Sequence, residues 1–148
     1  MYIRFEVKFP KDNNSHGIMN CTNILLNAQS LLDKAPEEIS SKAVVLKERM
    51  KLIEGETRSH FASYMDELSK ELPDPLDKNP SLAPIFKLYY TESLFTEYGV
   101  YRFSDILFKL MEEYKKIGAE TIQINIEDDE IDPKSIIYRD IFQIVRII

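Results

Sequence analysis

Residues 2–9 alternate. Ile3, Phe5, Val7 and Phe9 fall on one side and Tyr2, Arg4, Glu6 and Lys8 on the other. That period predicts a half-buried β-strand, ended by Pro10 and a polar loop at 11–15. From Ile18 the period becomes three and four. Ile18, Cys21, Leu25, Ala28 and Leu32 predict one amphipathic helix ending near Ala35-Pro36. Pro36-Glu37-Glu38 reads as the next helix start, with proline tolerated in the first turn and acids at the positive dipole end. The stripe Ile39, Ala43, Leu46, Met50, Ile53, Phe61, Tyr64, Leu68 and Leu72 loses its spacing only at Gly55-Glu56-Thr57. Residues 37–72 are therefore one helix weakened at Gly55 or two helices meeting there.

Three prolines make 73–80 a loop. Ser81 can cap a helix carrying Leu82, Ile85, Phe86, Tyr89, Leu94 and Phe95, which Gly99 would close. A short extended stretch over 100–103 then leads to Ser104-Asp105, which opens a helix with Ile106, Leu107, Leu110, Met111, Tyr114 and Ile117 on one face. Gly118 stops it. Ile122, Ile124 and Ile126 alternate with Gln123 and Asn125 in a strand over 121–126. The tail is rich in Ile and Val, so a helical turn at 133–138 and a largely buried strand at 140–147 are expected. Together these elements predict a single α+β domain over 1–148. Its sheet would be small, three-stranded and mixed or antiparallel, built from 2–9, 121–126 and 140–147, with four to five helices packed on one face and a helical half over 17–98.

Composition narrows the function. Of 148 residues, 44% are hydrophobic and 30% charged, enough for a core and a soluble surface. The four glycines stand far apart, which argues against a Gly-rich phosphate loop. Lys plus Arg is 19 against 25 Asp plus Glu, a net charge of −6 with no basic stripe, so nucleic acid is not an expected partner. A single cysteine permits no intramolecular disulfide and no Cys-based zinc site. The alternating opening is unlike a secretory leader, and no apolar run is long enough for a membrane span. The expected setting is the cytoplasm, with no membrane contact and no cofactor.

Few side chains offer chemistry. Glu56 stands four before His60, a spacing that could pair them on one helix face. Cys21 lies five after His16, but on the apolar stripe, where a thiol packs as a small hydrophobe. The densest charge is Glu127-Asp128-Asp129-Glu130 with Asp132. It has neither the glycine nor the alternating ligand rhythm of a calcium loop, and is expected to be solvated or to receive Lys and Arg from a partner. Tyr89, Tyr90, Phe95, Tyr98, Tyr101 and Phe103 gather six rings beside the acids Glu92, Glu97 and Asp105. Such rings fill cores or anchor protein interfaces. The expectation is a non-catalytic acidic module that binds a basic protein through Glu127, Asp128, Asp129, Glu130 and Asp132, with Tyr98 and Tyr101 as anchors. Its most concrete form is an inhibitor of the immunity or antitoxin kind that neutralises a basic toxin such as a nuclease. The alternatives are a small enzyme with a site around His60, Glu56 and Cys21, or a structural subunit of a larger complex.

Overall fold

The computed structural model describes residues 1–34 and 40–148; the helix start expected at Pro36-Glu37-Glu38, and Ile39, lie outside them. Among the described residues there are seven α-helices and a six-stranded, wholly antiparallel sheet, where the sequence led us to expect three strands and four to five helices. The expected strand at 2–9 is β1 (Tyr2–Lys8), and it is the hub. Along one edge it pairs through its full length with β4 (Glu120–Ile126). Its other edge is shared. There β3 (Thr91–Thr96) meets Tyr2 and Ile3, and the two-residue β2 (His16–Gly17) meets Glu6 and Val7. β3 then pairs with β6 (Gln143–Ile147), and β6 with β5 (Ile136–Arg139). The sheet curls into a half-barrel whose two edge strands, β4 and β5, are bridged by residues 127–135.

Three of the differences have local causes. Residues 81–98 were expected to be one helix, but α6 (Ala83–Leu88) is short and β3 follows it. Leu94 and Phe95 are both buried because this strand is covered on both faces, and adjacent apolar residues in such a strand imitate helical spacing. The stretch 100–103 is helical, because α7 (Glu97–Lys116) starts seven residues earlier than expected. Thr96 caps it by accepting the Gly99 N–H at 3.0 Å, so Gly99 lies in the first turn rather than at an end. The helix expected from Ile18 is two, α1 (Ile18–Leu26) and α2 (Ala28–Lys34). The Asn27 side chain between them donates to Asn23 O at 2.8 Å, competing with the backbone ladder.

Residues 37–72 contain two helices. α3 (Ser40–Leu52) and α4 (Glu56–Ser69) meet at Gly55, whose φ of 81° is one that residues with a Cβ rarely adopt. Within the expected loop at 73–80, Asp74 caps the one-turn helix α5 (Pro75–Lys78). Residues 133–135 form the helical turn expected at 133–138, but 136–139 extend as β5 and 143–147 as β6.

Both faces of the sheet carry apolar residues. Ile3, Phe5, Val7 and Phe9 form the main core with Ile18 and Leu25 of α1, Phe61 and Leu68 of α4, and Phe103, Leu107, Leu110 and Tyr114 of α7. α1, α4 and α7 thus lie over this face. On the other face Leu94, Ile126 and Ile144 form a second cluster, closed by Ile131 from the bridging segment. The isoleucines of β4 belong there, because Ile126, Ile124 and Ile122 stand opposite Tyr2, Arg4 and Glu6 and paired residues share a face.

Candidate functional site

The acidic segment is folded and fixed. Its backbone makes a single 3₁₀ turn over Asp128–Glu130, in which the Glu127 N–H donates to Glu130 Oε1 at 3.1 Å and the Glu130 N–H to Glu127 O at 3.0 Å. Burying Ile131 pins it to the second cluster. Asp132 caps the next turn, accepting the Lys134 N–H at 2.9 Å. Asp128 lies 2.5 Å from the Met1 ammonium, which is 3.8 Å from Glu97. The carboxylates of Glu127, Asp129 and Glu130 are exposed and enter no ion pair among the described residues. This stretch does not fold inward, and among the described residues no group of three His, Cys, Asp or Glu could hold a metal ion.

Sheet register brings the other expected contact residues to the same end. Tyr2 pairs with Thr96 on one side and Ile126 on the other. Neighbouring strands lie about 4.8 Å apart, so the start of α7 and the start of the acidic segment leave the sheet roughly 10 Å from each other. Tyr98 is half exposed, at 49%, with its ring stacked on Phe142 at 5.7 Å, and Tyr101 is 80% exposed. Ile141, 65% exposed, joins them, because Thr96 Oγ1 donates to its carbonyl at 2.7 Å. Glu97, one of the acids grouped with the rings in the sequence, is part of this surface, and Ile141 is a member that sequence reasoning missed. Of the six rings grouped in the sequence, Phe95 and Phe103 are core; Tyr89 and Tyr90 are exposed at the other end of β3.

The histidine candidates divide. His60 does lie near Glu56, at 3.5 Å, but its stronger partner is Glu113 of α7, whose Oε1 is 2.8 Å from His60 Nδ1. Lys116 also donates to that oxygen, at 3.1 Å. Glu113 was missed, although its place three residues after Leu110 and one before Tyr114 puts an acid on the core stripe. It is 3% exposed. Burial alone would raise its pKa, but the hydrogen bonds from Lys116 and His60 outweigh that and hold it below its ordinary 4.5. Its charged form therefore stabilises the fold above the ordinary value, and this is lost as pH falls through the lowered one. Glu113→Gln is expected to cost about 1–2 kcal/mol in urea unfolding at neutral pH, with the difference closing in acid. A loss of the same size at every pH would assign it to packing instead.

Cys21 does not join this group. Burial pushes its thiol pKa up, and the ionisable groups that act on it besides are Tyr114, Arg49 and Asp12, with neither histidine among them. His16 binds Asp12 at 3.0 Å instead. With the Asn14 N–H and Arg49, it draws the Asp12 carboxyl down to about 2.

A groove of about 810 Å³ opens where β1 and β3 diverge. The Arg4 side chain crosses this fork. Its Nε lies 2.6 Å from Glu6 and 3.7 Å from Glu92, and its Nη1 donates to Ser93 O at 3.1 Å. Glu92 in turn holds Arg146, accepting its Nε at 2.7 Å. Gly17 lies against the Arg4 guanidinium so closely that a Cβ would stand 2.7 Å from Nη2. Alternation marks Arg4 and Glu6 as facing away from the helices, but which strands converge there is set by pairings distant in sequence. No helix among the described residues is long and apolar enough to cross a membrane. No family model matches the chain, and comparison with curated proteins and with solved structures finds no match.

Proposed function

We propose that the protein is an acidic protein-binding module. Its contact surface is the end of the sheet where Glu127, Asp128, Asp129, Glu130 and Asp132 stand beside Tyr98 and Tyr101, and its partner is a basic protein. The observation that supports this reading is the register of Tyr2 between Thr96 and Ile126, from which α7 and the acidic segment leave the same end of the sheet. The chemistry suits it. Acids on an anchored turn attract Lys and Arg without a large ordering cost, and half-exposed tyrosines bury area with few rotors to freeze. The most concrete form is an inhibitor that occludes a basic toxin, such as a nuclease, acting in the reducing cytoplasm where Cys21 stays a free thiol.

Affinity capture at low salt, with elution by rising salt, identifies the partner, and titration then measures it. Reversing Asp128, Asp129 and Glu130 to Lys is expected to weaken binding at least about 100-fold, because three attractions become repulsions at a desolvated surface. Thermal stability should fall only modestly, since the lost contacts are the exposed Asp128 pair with the Met1 ammonium and the Glu130 cap on the Glu127 N–H. A captured partner without a basic face, or a triple variant that binds within about threefold of the parent, would sink the reading.

A further inference from the structure

The inner edge of β3 is open. Thr96 N–H donates to Phe142 O at 2.9 Å, and Ile148 N–H donates to Tyr90 O at 3.0 Å, so even positions of this segment turn their backbone groups toward β6. Odd positions turn theirs toward β1. Phe95 meets Ile3 there, but the two strands part beyond that pair, and among the described residues no strand lies against Thr91 and Ser93 on that side. Ser93 O is taken by Arg4. The Tyr89 N–H is taken by Ile85 O. The Ser93 N–H and the Thr91 N–H and C=O are left on the groove side, in the pattern that one further strand would satisfy.

The groove suits such a strand. Its volume of about 810 Å³ lies within the range of roughly 300–1,000 Å³ usual for ligand sites. Phe5, Leu68 and Leu72 give it an apolar floor, and Asn20 and Asn23 of α1 give one wall amides that match a peptide backbone. Its cationic side chains are already satisfied. Arg4 is held by Glu6, Glu92 and Ser93 O, and Arg58 donates to Leu25 O at 3.3 Å and Leu26 O at 2.8 Å. Its acids are less so. Asp66 enters no ion pair among the described residues, and Asp74 accepts only the Leu76 N–H. The unspent charge of the groove is negative.

We infer that this groove takes a short extended segment of a basic protein, added to the inner edge of β3 as a strand, with a lysine or arginine set against Asp66 and Asp74. Alternate side chains of such a segment would meet the apolar floor and the acidic rim in turn. The site lies at the Thr91 end of β3, away from the acidic surface at Thr96, and does not depend on the reading given for that surface.

The probe is a six-residue peptide alternating lysine and valine, blocked at both ends and labelled for fluorescence anisotropy, with amide exchange followed by NMR. In the free protein Thr91 and Ser93 should exchange fast and Leu94 slowly; saturating peptide should slow Thr91 and Ser93 at least about tenfold. A glutamate–valine peptide, and a lysine–valine peptide N-methylated throughout, should each bind at least about tenfold more weakly, one losing the charge and the other the N–H donors. Asp66→Lys, an exposed change that leaves the fold intact, should weaken the lysine–valine peptide about fivefold or more. The variant with Asp128, Asp129 and Glu130 changed to Lys should bind it within about twofold of the parent, separating this site from the other surface. The inference is overturned if the peptide shows no saturable binding, if the N-methylated form binds equally well, or if Thr91 and Ser93 gain no protection.

Discussion

Phe61→Ala is expected to destabilise the protein by about 3–5 kcal/mol, the largest effect of any single side chain considered. Phe61 is fully buried and its ring lies 4.7 Å from that of Tyr114, which meets Phe9 edge-on at 6.0 Å. These three rings join α4, α7 and the end of β1 with Tyr114 in the middle, so truncating Phe61 leaves a cavity against that ring which the packed helices would have to move to fill. Tyr114→Phe is the informative companion. The Tyr114 hydroxyl is 2.7 Å from Thr22 Oγ1, which also donates to Ile18 O at 2.6 Å. Thr22 keeps a partner when the hydroxyl is removed, so Tyr114→Phe should cost only about 0.5–1.5 kcal/mol. Urea unfolding of both variants checks the contrast. A Phe61→Ala loss below about 1.5 kcal/mol would mean that the helices close over the gap and that the stack is not what joins them.

The rings of this stack were legible, because Phe61, Tyr114 and Phe9 each sit on a stripe of the right period. What the periods could not give was the partner of each stripe. β1 shows as a strand from its alternation alone, yet its three neighbours, β2, β3 and β4, are fixed by contacts far along the chain. β3 was read as helix because Leu94 and Phe95, adjacent in sequence, enter the two cores on opposite faces of the sheet. A sheet buried on one face only would have shown a single alternation there, and three strands would have sufficed.

The candidate surface was legible in the same partial way. The acids of 127–132 and the tyrosines at 98 and 101 are visible as types, but that they share one end of the sheet follows from the double pairing of Tyr2. Glu113 is the opposite case. Its burial was signalled by its place on the α7 stripe, whereas its partner His60 stands on a different helix and no spacing reports it.

Gly99→Ala is expected to be nearly as damaging as the core truncation, although it adds one methyl to an ordinary helical backbone. A Cβ at position 99 would stand 2.2 Å from the carbonyl oxygen of Phe142. That oxygen cannot easily retreat. It accepts the Thr96 N–H, while the Phe142 and Gln143 N–H groups both donate to Asp140 Oδ1, at 2.7 and 3.0 Å. The Gln143 side chain also donates to Pro73 O at 2.7 Å. The helix must move instead, at a cost of about 1–3 kcal/mol or more for overpacking, a fall in Tm of roughly 3–10 °C. The movement would carry Tyr98 off the Phe142 ring and turn Tyr101 with it, so the same variant should also weaken the proposed partner. Gly55→Ala supplies the contrast: it meets no neighbour within 4 Å but takes a φ of 81°, and should lose about 1 kcal/mol of stability with no change in binding. Thermal unfolding and titration of the two variants separate these causes. If Gly99→Ala lost stability but bound its partner as well as the parent, the first turn of α7 would not be what sets the two tyrosines in place.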